Sequence, residues 1–308
     1  MSTAAVEPSG RAVPPAPSAG RVKAFLRLVV IEHSVFALPF AYVAALAACY
    51  QVSRSVHWLD LVLITIAMVA ARTFAMAANR VIDRELDAHN PRTAGRELVT
   101  GTVAVRTAVV GALVALAVFF ITAASLSWLC LALAPVAAAP LVIYPYAKRF
   151  TDFPHGVLAL AQVVAPVGAW VAVTGQWSWA AVVLGLAVGL WIGGFDLIYA
   201  CQDAEVDRAI GVRSVPARFG VRFALAASTV THVATFGLFV LFGLLENFGV
   251  WWWIGLGLTA AAFCYEHAIV KTDDLSRVNR AFLTANGFVG IALFLFALVD
   301  LVHRGLVA

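Results

Sequence analysis

The chain has 308 residues, of which 62% are hydrophobic and only 12% are charged. Together with a mean hydropathy of +0.91, this composition excludes a soluble domain of that length and predicts an all-α polytopic membrane protein. The formal net charge of +4 comes from basic loops that suit an anionic membrane surface. It implies no nucleic-acid partner.

Residues 1–21 are rich in Ala, Pro, Ser and Gly and lack a signal-peptide pattern, so we expect a disordered N-terminal tail. Residues 22–308 are predicted to form a single transmembrane domain. Apolar runs of about 20 residues, the length a helix needs to cross a bilayer, predict nine transmembrane helices in this domain. They lie near residues 28–50, 59–79, 104–124, 127–147, 155–174, 178–200, 222–243, 250–270 and 281–303.

Basic residues concentrate in every second loop between these predicted helices, and Arg54 and Arg304 are the main exceptions. Since Lys and Arg favour the cytoplasmic side of a membrane, we expect a multi-pass protein of the cell (inner or plasma) membrane. Its N-terminus is predicted inside and its C-terminus outside. The loops after the second and sixth helices then face the cytoplasm.

Two acidic motifs of matching design follow the second and the sixth predicted helices. They are Asn79-x-x-x-Asp83-x-x-x-Asp87 and, about 120 residues later, Asp196-x-x-Tyr199-x-x-x-Asp203-x-x-x-Asp207. Carboxylates four residues apart on a helix lie on one face, ~6 Å apart along its axis. We therefore expect each motif to form one half of a cytoplasmic site.

Mg²⁺ prefers oxygen ligands and is often held by one or two carboxylates together with substrate phosphates. The two motifs therefore predict a site for Mg²⁺ and a diphosphate. The candidate metal ligands are Asn79, Asp83, Asp87, Asp203 and Asp207.

Arg72 lies seven residues, or two helical turns, before Asn79 and on the same helical face. From there a guanidinium can bind a diphosphate through two parallel hydrogen bonds. A purely structural alternative has Arg72 paired with an aspartate inside the membrane. In that alternative the motif aspartates cap helix ends or pair with the neighbouring residues Arg80, Arg84 and Arg208.

These residues resemble those of the UbiA superfamily of intramembrane aromatic prenyltransferases. The resemblance extends from about Val22 to Val302, and it rests on Arg72, both acidic motifs, Asn90-Pro91-Arg92-Thr93 and Tyr144-x-x-x-Lys148-Arg149. It implies nine transmembrane helices around a central cavity. It also implies that the acidic motifs bind Mg²⁺ and the diphosphate of a polyprenyl donor.

The resemblance further implies roles for single residues. Lys148 and Arg149 are expected to bind the diphosphate with Arg72, and the ring of Tyr199 is expected to steady the allylic cation. Asp196 is expected to orient a ligand or to assist deprotonation of the acceptor.

Three shorter stretches resemble a particular branch, the 4-hydroxybenzoate-type polyprenyltransferases that serve menaquinone synthesis by the futalosine route. The stretches are Ile31–Phe40, Gln202–Asp207 and Tyr265–His267. The expected acceptor is a dihydroxynaphthoate-type aromatic acid, and the alternative is 4-hydroxybenzoate in ubiquinone-type synthesis. Candidate acceptor-binding residues are His33, His267 and Lys271.

Two functions of other classes are alternatives to an enzyme. Intramembrane acids also mark ion pathways in cation-coupled transporters, but these acids lie at one membrane face, and no matching pair of interrupted helices indicates an inverted repeat. A scaffold would leave the duplicated motifs unexplained. The favoured prediction is a Mg²⁺-dependent prenyltransferase whose partners are a polyprenyl diphosphate, an aromatic acid and membrane lipid.

Overall fold

The computed structural model describes residue 28 and residues 37–307, apart from the side chains of residues 282 and 283. Over those residues the regular structure is helical, without a strand, which confirms the all-α prediction. Nine long helices run through the described part of the chain. They are α1 (Leu38–Val52), α2 (Trp58–Ile82), α3 (Val105–Leu126), α4 (Trp128–Phe150), α5 (Pro154–Thr174), α6 (Trp179–Ala200), α7 (Val221–Leu245), α8 (Val250–Ile269) and α9 (Asn286–His303).

Short helical segments follow or precede four of the long helices. α2 is followed by the helix Arg84–His89, and α6 is followed by a 3₁₀ turn, Cys201–Asp203, and the helix Ala204–Ile210. The helix Val215–Phe219 precedes α7, and a π-helical turn, Ala281–Ala285, precedes α9. Three of these segments carry aspartates of the acidic motifs: the helix Arg84–His89, the 3₁₀ turn Cys201–Asp203 and the helix Ala204–Ile210.

Seven of the described helices are long and apolar enough to cross a membrane: α2 to α7 and α9, with α6 counted together with its continuation to Ile210. α1 is apolar but has only 15 described residues. Several such helices in one chain make the protein a multi-pass membrane protein, as the composition predicted. The count of nine spans stays a prediction.

The long helices pack as a ring in chain order, each against the next from α2 to α9. α1 closes the ring between α9 and α2 and also packs across it against α5. Lys148 and Arg149 at the end of α4 contact Asp83, which follows α2, and Arg92 contacts Asp203, which follows α6. The end of α8 packs beside that of α6, where Val270 and Ile198 share one apolar cluster. The carboxyl ends of α2, α4, α6 and α8 therefore share one end of the bundle. We call it the motif end.

Small residues let α5 and α6 approach closely. Three glycines of α6, spaced four residues apart, face three α5 positions with the same spacing: Gly185 faces Val163, Gly189 faces Ala159 and Gly193 faces His155. A Cβ atom added at Gly185 would lie 2.6 Å from the carbonyl oxygen of Val163. Glycine at such spacing is how membrane helices bring their backbones into contact. We call Gly185, Gly189 and Gly193 the glycine ridge. It fixes α5 against α6.

Aromatic side chains join α1, α6, α7 and α8 in the core. The ring of Phe40 packs edge-on against Trp191 at 5.2 Å between centroids and stacks on Phe239 at 5.5 Å. Phe242 packs against Trp252 at 5.6 Å, and all five side chains are fully buried. Each such pair contributes about 0.5–1.5 kcal/mol beyond simple burial. This cluster packs α6, which carries the first residues of the second motif, against α1, α7 and α8.

Candidate active site

The first motif lies where α2 is interrupted. α2 ends at Ile82, Asp83 adopts φ −95° and ψ 2°, and the next short helix begins at Arg84. The hydrogen bonds of the motif backbone continue across this residue, because the Asp83 amide donates to the Asn79 carbonyl at 2.9 Å and the Asp87 amide donates to the Asp83 carbonyl at 2.8 Å. The four-residue spacing is therefore kept although the regular helix stops.

The second motif is interrupted in the same way. Asp203 adopts φ −99° and ψ −1° between the 3₁₀ turn that follows α6 and the helix Ala204–Ile210. The regular helix is thus interrupted at Asp83 in the first motif and at Asp203 in the second. Backbone in this region of φ/ψ space is sparsely populated and frequent at active sites. It interrupts each long helix, and the last aspartate of each motif lies in the short helix that follows.

Both carboxylates of the first motif are buried and bound by cations. Asp83 is only 3% exposed; it accepts from Lys148 Nζ at 2.6 Å and from Arg149 Nη1 at 3.1 Å. Asp87 is also buried and accepts from Arg96 Nη1 at 2.5 Å. A buried carboxylate stays charged only with such partners. The basic residues come from α4 and from the loop after the motif.

The second motif is bound by residues that follow the first one in sequence. Arg92 forms a two-pronged ion pair with Asp203, with Nε at 2.9 Å from Oδ1, and Asn90 Nδ2 donates to Oδ1 at 3.0 Å. Thr93 ties the same loop to the first motif by donating to the Asp87 carbonyl at 2.9 Å. The loop thereby contacts both motifs and brings them together at the motif end.

Arg92 also connects Tyr199 to this ion pair. Its Nη1 donates to the Tyr199 hydroxyl at 3.0 Å, and its guanidinium carbon lies 5.1 Å from the centre of the Tyr199 ring. Burial of Arg92 disfavours the cation, but hydrogen bonding and the charge of Asp203 outweigh burial and raise the pKa of Arg92 above its usual value. Arg92 is therefore a permanent cation between the motifs.

The aspartates do not pair with the neighbouring arginines, as the structural alternative requires. The three neighbouring arginines donate instead to backbone carbonyls: Arg80 to Leu28, Arg84 to Leu98 and Arg208 to Ala217. The carboxylates take their cations from other elements. Ion pairs between different elements bring the motif side chains together, whereas an ion pair within one helix would only cap that helix.

Arg72 lies deeper in the bundle, on α2, and near Tyr144 of α4. Tyr144 interacts electrostatically with Arg72, Asp83 and Asp196, which places residues of α2, α4 and α6 around a common interior. Nε of Arg72 is buried and has no hydrogen-bond partner among the described residues. Arg72 also forms no ion pair with an aspartate within that part of the chain, contrary to the structural alternative.

Two further partners were not predicted from the sequence. His155 Nδ1 lies 2.7 Å from Asp196 Oδ2, and Ser214 Oγ donates to Asp207 Oδ2 at 3.0 Å. His155 is the second residue of α5, and no spacing within its own segment indicated a contact with α6. Only the glycine spacing of α6 carries information about that packing.

The three candidate acceptor-binding residues are not brought together by the described residues. His33 lies outside them, and Lys271 is exposed in the loop after α8. His267 is half-buried and points to α7, where its Nε2 lies 2.9 Å from His232 Nδ1 and its Nδ1 lies 3.3 Å from Thr229 Oγ1. Their role stays a prediction.

The chemistry of the motif side chains fits a hard divalent cation. Within the described residues, no three His, Cys, Asp or Glu side chains form a closed cation site. Mg²⁺ does not need one, since it keeps several waters and takes its remaining oxygens from one or two carboxylates and from phosphates. Four aspartates and one asparagine oxygen at the motif end supply such ligands.

An all-helical membrane protein with paired acidic motifs bridged by cations defines the class of this molecule. Comparison with known families then gives the family: residues 37–297 match the UbiA prenyltransferase family, and the chain belongs to it. It is an integral membrane prenyltransferase. Family membership excludes the transporter alternative and leaves no need for a scaffold.

Curated relatives and solved structures agree with this assignment. A protein of Aromatoleum aromaticum named 4-hydroxybenzoate octaprenyltransferase is 31% identical over 295 residues, 94% of this chain and 98% of the relative. One of the same name from Xanthomonas campestris is 34% identical over 233 residues, 76% of this chain and 77% of the relative.

Among solved structures, the apo UbiA homolog from Aeropyrum pernix K1 is 32% identical, with a TM-score of 0.75, over 89% of this chain and 98% of its own. A UbiA homolog from Archaeoglobus fulgidus bound to GPP and Mg²⁺ is 19% identical, with a TM-score of 0.65, over 91% of this chain and 99% of its own. At that identity the second likeness supports the fold alone.

Proposed function

We propose that the protein is a Mg²⁺-dependent enzyme that transfers a polyprenyl group from a polyprenyl diphosphate to an aromatic acid in respiratory quinone biosynthesis. The observation that carries the proposal is the bridge between the two acidic motifs, in which Arg92 and Asn90 bind Asp203 while Thr93 binds the Asp87 backbone. A site that contains both buried carboxylates and cations suits a ligand made of a metal cation and a diphosphate anion.

The names of the relatives support 4-hydroxybenzoate as the acceptor. Both curated relatives described above are 4-hydroxybenzoate octaprenyltransferases, which favours the alternative acceptor over the dihydroxynaphthoate-type acid expected from the shorter stretches. One of those stretches, Ile31–Phe40, lies mostly outside the described residues. We therefore propose the monocyclic acid and keep the bicyclic acid as the competitor in the test.

Cations around the motifs provide charge where the leaving group becomes negative. Lys148 and Arg149 are half-exposed beside the buried Asp83, and Arg72 has a buried Nε without a described partner. Preorganised positive groups at the position where charge develops are usually the largest contribution to catalysis. We assign these three residues to the diphosphate.

The carboxylates would hold the metal ion. Bound Mg²⁺ supplies Lewis-acid charge that stabilises the departing diphosphate. Asp83, Asp87, Asp203 and Asp207, with the amide oxygen of Asn79, are the oxygen ligands available for it at the motif end.

The transfer itself breaks the bond between the allylic carbon and the diphosphate oxygen, and the electron pair leaves with the diphosphate. A ring carbon beside the phenolic oxygen forms the new carbon–carbon bond. Asp196 accepts the phenolic proton, which makes the ring more electron-rich, and returns it to oxygen when the ring carbon loses its own proton to the diphosphate. The face of the Tyr199 ring stabilises the allylic cation meanwhile.

Location in the membrane matches a lipid-like donor. The polyprenyl tail stays in hydrocarbon while its diphosphate reaches the polar motif end, so the tail need not enter water. We assign the protein to the cell membrane, with the N-terminus and the motif end in the cytoplasm, on the strength of the basic loops.

A competition assay tests the proposal. Purified protein in lipid nanodiscs receives polyprenyl diphosphate, Mg²⁺ and equal concentrations of 4-hydroxybenzoate and a dihydroxynaphthoate, and mass spectrometry identifies the product. We expect mainly prenylated 4-hydroxybenzoate, and no product when EDTA replaces Mg²⁺. Mainly prenylated dihydroxynaphthoate would overturn the acceptor only. Undiminished turnover in EDTA would overturn the metal assignment, and no prenylated acid from either acceptor would overturn the transfer.

A further inference from the structure

One buried histidine contacts the site through Asp196. His155 Nδ1 lies 2.7 Å from Asp196 Oδ2, and the side chains are 7% and 21% exposed respectively. The aspartate is thus the more accessible partner, and the histidine is the more buried one. Tyr144 of α4 lies within electrostatic range of both Arg72 and Asp196, so the carboxylate lies on the same side of the bundle as one of the proposed diphosphate-binding residues.

The pair depends on the packing of α5 against α6. Gly193, three residues before Asp196, faces the backbone of His155, and an added Cβ would lie 3.1 Å from the His155 carbonyl oxygen. Because glycine leaves this space, the first turn of α5 reaches the last turn of α6. The amino-terminal end of a long helix also carries partial positive charge. The histidine and the positive end of α5 therefore both lie beside the Asp196 carboxylate.

Chemistry determines the direction of this hydrogen bond. An ionised carboxylate only accepts, so His155 Nδ1 carries the proton and donates it to Oδ2. The other imidazole nitrogen, Nε2, is buried without a hydrogen-bond partner among the described residues. The ring is therefore held through Nδ1 alone. Within the same part of the chain, Asp196 Oδ1 has no protein donor and is left for a ligand.

We propose that His155 is a positioning residue for prenyl transfer: its Nδ1–H fixes the Asp196 carboxylate so that Oδ1 meets the acceptor hydroxyl. The inference rests on the proposed function, in which Asp196 accepts the phenolic proton. His155 itself touches neither the acceptor nor the diphosphate. It acts as the orienting third group does in other catalytic pairs, where fixing the geometry of the base is the contribution.

Three substitutions at position 155 separate the hydrogen bond from the packing. His155→Phe keeps a flat ring without a donor, His155→Asn keeps an N–H near the position of Nδ1, and His155→Gln moves the N–H towards Nε2. We expect kcat of His155→Phe and His155→Gln to fall about 10- to 100-fold, the range for loss of an orienting partner, with KM for the prenyl diphosphate unchanged. His155→Asn should stay within a few-fold of the wild type.

A double variant tests whether His155 acts through Asp196. If it does, His155→Phe combined with Asp196→Asn is no slower than Asp196→Asn alone, since coupled residues are not additive. Equal kcat in wild type and His155→Phe, or an Asn variant as slow as the Phe variant, would overturn the proposal. So would full additivity of the two losses.

A measurement without turnover keeps this inference distinct from the proposed function. In protein labelled with ¹⁵N in its imidazole rings, NMR should show His155 protonated at Nδ1, and Asp196→Asn should shift that signal. A His155 ring without a proton on Nδ1 would overturn the inference even in an active enzyme. If instead no aromatic acid is prenylated, the proposed function fails. A proton on His155 Nδ1 would then show only that the hydrogen bond to Asp196 forms.

Discussion

At the scale of single residues, the site is defined by which cation binds which carboxylate. The sequence identified the two acidic motifs, because spacing and charge are visible in one dimension, and the metal-binding role of the aspartates stays a prediction. The sequence did not identify the partners. Lys148 and Arg149 contact Asp83 across 65 and 66 residues of chain, and such pairings are set by helix packing rather than by local pattern.

Replacing one buried carboxylate tests the metal and diphosphate assignment. We expect Asp83→Asn to reduce kcat by about 100-fold or more, the loss typical of removing one preorganised electrostatic group. The control is Glu85→Gln, because Glu85 is an exposed carboxylate within the same motif and should leave kcat unchanged. Initial rates at saturating Mg²⁺ provide the comparison, and near-normal turnover by Asp83→Asn would contradict the assignment.

Arg92 is expected to be sensitive to shape as well as charge. Arg92→Lys keeps a cation but cannot bind Asp203 with two prongs and Tyr199 with a third nitrogen, since an ammonium lacks the planar fork. We predict a fall of about tenfold or more in kcat/KM for the prenyl diphosphate. Arg106→Lys is the matched control, because Arg106 is exposed in the first turn of α3. Equal losses in both variants would show that the fork does not matter.

At the scale of elements, the apolar runs predicted most helix ends to within a few residues. The sixth run, 178–200, became α6 (Trp179–Ala200), and the seventh, 222–243, became α7 (Val221–Leu245). Hydropathy gives these ends because a membrane span must be apolar throughout. It carried no signal for the interruptions at Asp83 and Asp203, since both residues retain the four-residue spacing of a helix.

The glycine ridge makes a prediction for packing. Gly185→Ala places a methyl group against the Val163 backbone, so α5 and α6 must separate, and overpacking of this kind costs about 1–3 kcal/mol. Gly168→Ala is the control, because a Cβ there meets nothing within 4 Å. Thermal unfolding in detergent should show a lower Tm for Gly185→Ala and an unchanged or higher Tm for Gly168→Ala. The reverse order would contradict the packing role of the ridge.

At the scale of the whole molecule, one end of the bundle carries the motifs and their cations. Exposed Thr100 lies in the loop of the motif end, and exposed Asn247 lies in the loop between α7 and α8 at the opposite end. In a background with Cys264→Ser, a cysteine at position 100 should react with a membrane-impermeant thiol reagent only from the cytoplasm. A cysteine at position 247 should react only from outside. Labelling with the opposite pattern would reverse the proposed orientation.

The wide separation of the two motifs also orders events in time. Asn90 and Arg92 leave the ribosome long before their partner Asp203. At a synthesis rate of 5–20 residues per second, the roughly 110 intervening residues take about 5 to 20 seconds. During that interval Arg92 lacks the carboxylate to which it is bound in the folded protein. The site therefore cannot form before α6 and the second motif have been made, although three long helices still follow them in the chain. A nascent chain that stops before α6 carries no complete site into the membrane.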